Sequence, residues 1–161
     1  MSQWIAIPVL IILALAQATL LSWISIAGIK IDLALTLVVA WGLVGPAGEA
    51  AIWGFVAGIV LDLVSGLPFG TQTLALAAIG WTLSLPVLDE FRGNLFLPPA
   101  AILLATFIYN LIALTVLSLV GWQVSWDEYL LRLTLPSAIV NTLTLPFLYF
   151  PLQWISRRRM Y

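Results

Sequence analysis

Cysteine and histidine are both absent from this chain of 161 residues. Their absence excludes disulfides, thiolate nucleophiles, imidazole bases and the usual zinc ligands. Charge is also scarce, because six Lys or Arg and seven Asp or Glu give a formal net charge of −1. The chain therefore has neither a basic field for nucleic acid nor an acidic tail for a cationic partner, and we expect no nucleic-acid binding.

Apolar residues are what the chain has in abundance. They make up 63% of the sequence against 8% charged residues, and the mean hydropathy is +1.12. Because so few polar side chains cannot cover the surface of a soluble protein, we expect the surface of this protein to be in contact with lipid. Six apolar runs predict an all-α integral membrane protein with six transmembrane helices in one compact bundle, and residues 1–161 form a single transmembrane domain. The predicted helices cover about residues 4–24, 32–44, 49–66, 71–88, 98–120 and 134–156.

Local signals mark several of the helix ends. Asp32 is placed to cap helix two, and Glu49 begins helix three after a tight turn that contains Gly45 and Pro46. Residues 121–132 are rich in aromatic and acidic side chains, which is typical of a loop or short helix in the headgroup layer. Helix three is just long enough to cross, so a re-entrant hairpin is its alternative.

The basic residues predict the orientation of the chain. With six crossings, Arg92 and the triplet Arg157, Arg158 and Arg159 share one side of the membrane with both termini. Lys30 and Arg132 fall on the other side. Because basic residues favour the cytoplasm, we expect cytoplasmic termini.

Tryptophan is frequent, with eight residues in the chain. Most lie near predicted helix ends, as Trp41 does, where amphipathic rings anchor a helix at the headgroups. Trp53 and Trp81 lie further inside their helices and are predicted to pack within the protein.

Asp62 is the sharpest anomaly, because it places a carboxylate inside an apolar helix. It could be an ion or proton site, or a polar clasp to a neighbouring helix or partner, and the clasp is the favoured interpretation. Gly54, Gly58 and Asp62 are four residues apart and so lie on one stripe of helix three. This stripe is predicted to pack closely against another helix, with homodimer formation as a weaker alternative.

The amides Gln17, Asn110 and Asn141 lie inside predicted helices, where they can bond between helices. A substrate pocket would need several convergent polar groups, and the interior polar residues are few. With no histidine and no intramembrane lysine there is no evident base, so we expect no enzymatic activity and no cofactor or metal site.

Several segments together resemble the MreD family of bacterial rod shape-determining membrane proteins. They are the acidic start of helix two at Ile31-Asp32-Leu33, the hairpin from Gly45 to Glu49, the helix-three segment from Gly54 to Leu63, the turn from Ser65 to Gly70, and the late segment from Leu135 to Thr142. Ile31 departs from the proline that often precedes the helix-two acid. On this resemblance, the candidate helix-packing or partner-binding residues are Asp32, Gly54, Gly58, Asp62, Gly66, Pro68, Pro136 and Asn141.

The resemblance implies a non-enzymatic scaffold subunit of the cell-elongation complex in the bacterial inner membrane. Such a subunit binds the single-span protein MreC and acts through it with MreB, RodA and a penicillin-binding transpeptidase in side-wall peptidoglycan synthesis. MreD is also similar in fold to the substrate-binding subunits of energy-coupling-factor vitamin transporters. That gives an alternative function, supported in the sequence by the pair Ala14 and Ala18 on helix one.

Overall fold

A computed structural model describes residues 3–21 and 31–158, and within these ranges the chain folds into helices without strands. Lys30 and Arg159 lie outside the described residues. The helices are α1 (Gln3–Ala16), α2 (Leu33–Val44), α3 (Glu49–Ser65), α4 (Thr71–Leu83), α5 (Leu97–Leu119), the short α6 (Trp126–Tyr129) and α7 (Leu135–Arg158). A π-helical turn over Gln17–Leu21 extends α1, and a 3-10 helix over Pro86–Phe91 follows α4.

The main helices run alternately up and down. Residues near the ends of α1, α3 and α5 and near the starts of α2, α4 and α7 surround one cavity, at what we call the Asp32 end of the bundle. At the opposite end, Arg92 and Ser156 bond to carbonyl groups at the end of α2, and we call this the Arg92 end.

Helix α2 is the centre of the bundle. It contacts α1, α3, α4, α5 and α7, and every residue from Ala34 to Leu43 is buried. The predicted cap is confirmed, because the Asp32 side chain accepts a hydrogen bond from the Leu35 N–H. A helix that is apolar on all sides is expected in a core, and this one has protein on every face.

Within the described ranges, two stretches are long and apolar enough to cross a membrane by themselves. They are Leu97–Leu119 and the continuous helical stretch Trp126–Arg158. Helix α2 has 12 residues and α4 has 13. Lengths of about 18 and 20 Å are shorter than a hydrocarbon core of about 30 Å. The bundle of six crossing helices therefore stays a prediction.

One predicted helix boundary was wrong. Helix four ends at Leu83 and not at Leu88, because Leu85 precedes Pro86 and proline disfavours the α conformation of the residue before it. The last helix begins at Leu135, within one residue of the predicted start, and a π-helical turn over Leu130–Thr134 joins it to α6. That turn lies just before Pro136, whose ring and missing N–H disturb the regular helical ladder there.

The tryptophan predictions also changed. Trp41 is buried and stacks on Trp53, with ring centroids 4.5 Å apart and planes 3° from parallel. It therefore belongs to the core and does not anchor the chain at the headgroups. Trp81, expected to pack inside, is 68% exposed. Both reversals follow from the direction each side chain takes around its helix, which depth along the helix does not specify.

Candidate functional site

A polar network surrounds the start of α2. The Oδ1 atom of Asp32 accepts hydrogen bonds from the Leu35 N–H at 2.9 Å and from Gln17 Nε2 at 3.2 Å. The Gln17 Oε1 in turn accepts from the Ala34 N–H at 2.6 Å. An acidic cap and an amide from α1 thus satisfy N–H groups that the first turn of a helix leaves without intrahelical partners.

Asn141 extends this network to the last two long helices. Its Oδ1 accepts from the Asp32 N–H at 3.1 Å, and its Nδ2 donates to the Thr106 hydroxyl at 3.2 Å. Asn110 Nδ2 donates to the Thr106 carbonyl at 2.9 Å. The amides Gln17 and Asn141 and the Asp32 cap therefore bond between helices, linking α1, α2, α5 and α7.

Asp62 makes a second network at the same end. It is 5% exposed, and its carboxylate accepts from the N–H groups of Gly70, Gln72 and Thr73 at 2.9, 2.8 and 3.0 Å and from the Thr73 hydroxyl at 2.6 Å. These donors belong to the first turn of α4, so Asp62 caps α4 from a neighbouring helix. The arrangement matches the intramolecular form of the polar clasp.

The turn between α3 and α4 brings those donors to Asp62. Gly66 ends α3 with a φ of 69° and Gly70 precedes α4 with a φ of 100°, a backbone region that favours glycine. The Pro68 carbonyl accepts from the Thr71 N–H at 3.2 Å and from its hydroxyl at 2.8 Å. Gly66 and Pro68 thus shape the loop that presents α4 to Asp62.

Glycines let α3 and α4 approach until their backbones touch. A Cβ added at Gly54 would collide with the Leu76 carbonyl oxygen, and one at Gly58 with the Thr73 Cα. On α4, a Cβ at Gly80 would collide with the Ala50 carbonyl oxygen, which completes the close contact from the other side. The sequence reasoning missed Gly80, although a glycine within an apolar helix is itself a signal of close packing. The stripe of Gly54, Gly58 and Asp62 is therefore occupied within the chain.

A cavity of about 640 Å³ opens between these two networks. The polar side chains that line it include Gln17, Asp32, Gln72, Tyr109, Asn110 and Asn141. The Tyr109 hydroxyl donates to Gln72 Oε1 and also lies beside the Asp32 carboxylate. The interior polar residues are thus few but convergent, and the sequence analysis did not anticipate a cavity. Gln72 was missed because a polar residue is not unusual at the start of a helix, and Tyr109 was missed because an aromatic residue within an apolar helix is usually a packing residue.

The described residues contain no group of three or more acidic side chains placed to hold a metal ion. Asp32 and Asp62 lie at the same end of the bundle, but backbone N–H groups are hydrogen-bonded to each carboxylate. Pro136 lies in the first turn of α7, one residue before Ser137, which also lines the cavity.

At the Arg92 end the residues hold the end of α2. Arg92 Nη1 donates to the Gly45 carbonyl at 3.0 Å and Nη2 to the Gly42 carbonyl at 3.4 Å, while the Ser156 hydroxyl donates to the Val44 carbonyl at 2.6 Å. These groups satisfy carbonyls that the end of a helix leaves free, and a cation there also complements the helix dipole. Both ends of the short central helix are therefore capped by other parts of the chain.

Comparison with known proteins identifies the family. The model of the family described as rod shape-determining protein MreD matches residues 1–158. No curated protein and no solved structure matches the chain, so the likeness to energy-coupling-factor subunits stays a prediction. The match spans nearly the full sequence and all the helices described above. The chain therefore belongs to the MreD family of bacterial membrane proteins that determine rod shape.

Proposed function

We propose that this protein is a non-enzymatic scaffold subunit of the bacterial cell-elongation complex. It binds an MreC-type single-span protein and, through it, supports side-wall peptidoglycan synthesis together with MreB, RodA and a penicillin-binding transpeptidase. The observation that carries the proposal is the match of the MreD family model over residues 1–158. No comparison supports the alternative of a vitamin-transporter subunit.

The hydrogen bonds made by four threonine hydroxyl groups support a scaffold role. The hydroxyls of Thr82, Thr106, Thr115 and Thr142 each donate to the carbonyl four residues earlier in the same helix. A hydroxyl that donates to a backbone carbonyl is not aligned with a base that could activate it as a nucleophile. These threonines therefore fit a packing role and not a catalytic one.

The partner surface we propose is the outer face of the α3–α4 hairpin. Its inner, glycine-lined face is already used within the chain, and two helices in backbone contact form a rigid pair. A rigid surface loses little conformational freedom when it binds, which favours affinity. Phe55 on α3 and Trp81 on α4 are 52% and 68% exposed and offer large apolar contacts for a single-span helix.

We also propose six membrane crossings with both termini in the cytoplasm. The alternating direction of the helices supports the number of crossings, and the short helix α2 crosses within a shell of longer neighbours. Arg92, Arg157 and Arg158 would then face the cytoplasm, and Arg132 the opposite side. Reporter fusions at the two chain ends test this directly, because an odd number of crossings would place the ends on opposite sides.

Photo-crosslinking in native membranes tests the partner and its surface together. A photo-reactive amino acid at position 55 or 81 should capture an MreC-type chain, identified by mass spectrometry, whereas the same probe at Leu104 on α5 or Phe147 on α7 should not. Leu104 and Phe147 are matched controls, because they are 61% and 80% exposed. Capture only from α5 or α7 would overturn the surface, and no capture from any position would overturn the partner.

A further inference from the structure

The cavity at the Asp32 end has the size and lining of a ligand site. Its volume of about 640 Å³ falls within the range of small-molecule pockets, which is about 300 to 1,000 Å³. Apolar walls, including Leu35, Leu61 and Leu117, surround the polar groups. An apolar cavity with a few convergent polar side chains is the usual form of a binding site for a small organic group.

Part of the polar lining has no partner within residues 3–21 and 31–158, which the structure describes. Among the described residues, no hydrogen bond is made by the Asn110 Oδ1, the Gln72 Nε2 or the hydroxyl of Ser137. Asn110 lines the cavity and is only 8% exposed, so its unpaired oxygen is shielded from bulk solvent. A buried polar atom without a partner is costly unless water or a ligand bonds to it. These three groups therefore offer one donor, one acceptor and one hydroxyl to an occupant.

The charge of the lining selects the class of occupant. Asp32 is the only charged side chain among the described residues that line the cavity. Two donors from the chain bond to its Oδ1, and the Tyr109 hydroxyl lies beside it, whereas an ionised carboxylate can accept about four hydrogen bonds. A further donor from the cavity is thus accommodated, and a cationic donor is favoured over a neutral one. An anionic ligand would meet this carboxylate with no described cation to offset it.

We infer that this cavity binds a primary ammonium group attached to an apolar body, with the ammonium at Asp32 and the body against the leucine walls. Two sources can supply this chemistry: a free small amine, or the headgroup of an aminophospholipid such as phosphatidylethanolamine. The site is independent of partner binding at α3 and α4, so either proposal can fail without the other.

Three probes that share a phenyl ring and differ in their polar end group test the charge preference of the cavity. Phenethylamine, phenethyl alcohol and hydrocinnamate carry an ammonium, a hydroxyl and a carboxylate on similar bodies. Calorimetric titration of the full chain in maltoside detergent should show binding of the amine, binding of the alcohol weaker by about 10-fold or more, and no binding of the carboxylate. Equal affinity for all three would overturn the inference.

Single-residue variants test whether the Asp32 carboxylate binds the amine. Asp32→Asn keeps a side chain that caps helices well, so the fold should persist, and it should weaken amine binding by about 10- to 100-fold. Glu90→Gln removes an exposed negative charge away from the cavity and should leave the affinity unchanged. Unchanged binding in Asp32→Asn would contradict the assignment.

Filling the cavity provides a test that keeps the carboxylate. Ser137→Phe should abolish amine binding, since Ser137 lines the cavity and makes no hydrogen bond within the described chain. Ile139→Phe adds the same ring at a position that is 60% exposed and should bind the amine normally. Equal binding by both variants would place the amine outside the cavity.

Two further arms separate the sources of the ammonium. If the source is lipid, native mass spectrometry of protein from nanodiscs should show phosphatidylethanolamine retained over phosphatidylcholine, and that lipid should compete with phenethylamine. If the source is a free amine, neither lipid should compete. Lys30 carries an ammonium two residues before Asp32 in the sequence, and a Lys30→Gln variant removes it. Amine binding that appears only in this variant would identify Lys30 as the occupant and overturn the inference.

Discussion

Replacing Asp62 with alanine tests whether the buried carboxylate holds the α3–α4 hairpin together. Alanine removes the acceptor of four hydrogen bonds from three residues at the start of α4. Three of the donors are backbone N–H groups, which cannot turn away to find other partners. The side chain is 5% exposed, so water has little access to replace the carboxylate.

The expected loss follows from the number of donors. At about 1 kcal/mol for each donor left without its acceptor, Asp62→Ala should lower the free energy of unfolding by about 4 kcal/mol. An opposing term is the cost of a carboxylate in the bilayer, about 2.5 to 3.5 kcal/mol at the centre of a helix. That cost is smaller near an interface, and it applies equally to an unfolded chain whose helices stay in the membrane. The lost hydrogen bonds should therefore decide the result.

Reversible unfolding in mixed micelles, with a rising fraction of dodecyl sulfate, measures the loss. Asp62→Asn keeps one acceptor oxygen and should lose about half as much, about 2 kcal/mol. Glu90→Ala removes an exposed acid and should stay within about 0.5 kcal/mol of the parent chain. If Asp62→Ala is as stable as Glu90→Ala, the carboxylate does not hold α4 and the reasoning fails.

Two further predictions use the same assay. Gly58→Leu should lower the free energy of unfolding by about 3 kcal/mol or prevent folding, because the leucine side chain would collide with the backbone of α4. The control Ile59→Leu should lower it by less than about 1.5 kcal/mol. Equal effects would show that the two helices are not in backbone contact. Arg92→Gln should lower the free energy of unfolding by about 1 to 2 kcal/mol, because two carbonyl groups at the end of α2 lose their hydrogen-bond donor. Arg132→Gln breaks an exposed ion pair with Glu128 and should lower it by about 0.5 kcal/mol or less. A larger loss at Arg132 than at Arg92 would contradict the capping of α2.

The sequence predicted the helices well where a local signal marks an end. Asp32 before α2, Glu49 at the start of α3, Gly66 after α3 and Pro98 in the first turn of α5 are all where the pattern placed them. Each of these signals acts through the backbone of its own or the next turn, so no tertiary information is needed. The boundary at Leu83 was missed because an apolar run continues beyond it through Leu85 and Val87.

The convergence of polar groups could not be predicted in the same way. Asp32 and Asn141 are 109 residues apart, and Tyr109 and Gln72 are 37 apart. Only the packing of α1, α2, α4, α5 and α7 brings these side chains together. The sequence indicated that amides within apolar helices can bond between helices, as Gln17 and Asn141 do, but not that they would surround one cavity. The side chain of Asn110 instead donates within its own helix.

The short length of α2 is a second feature that depends on contacts distant in the sequence. Its 12 residues satisfied the pattern of an apolar helix, yet such a helix cannot reach across a bilayer alone. The compensation is tertiary, because Gln17 accepts from the Ala34 N–H at one end while Arg92 and Ser156 bond to carbonyls at the other. Arg92 was interpreted from sequence only as a topological signal, since its capping role depends on the return of the chain to α2.

Cell shape is the most direct measurement of the proposed role. In the bacterium that encodes this chain, depletion of the protein should lower the length-to-width ratio of the cells towards one. Re-expression of the parent chain or of Glu90→Ala should restore it, and expression of an unfolded Gly58→Leu chain should not. Cells that keep their shape and their rate of side-wall synthesis after the protein has disappeared would contradict a role in the cell-elongation complex.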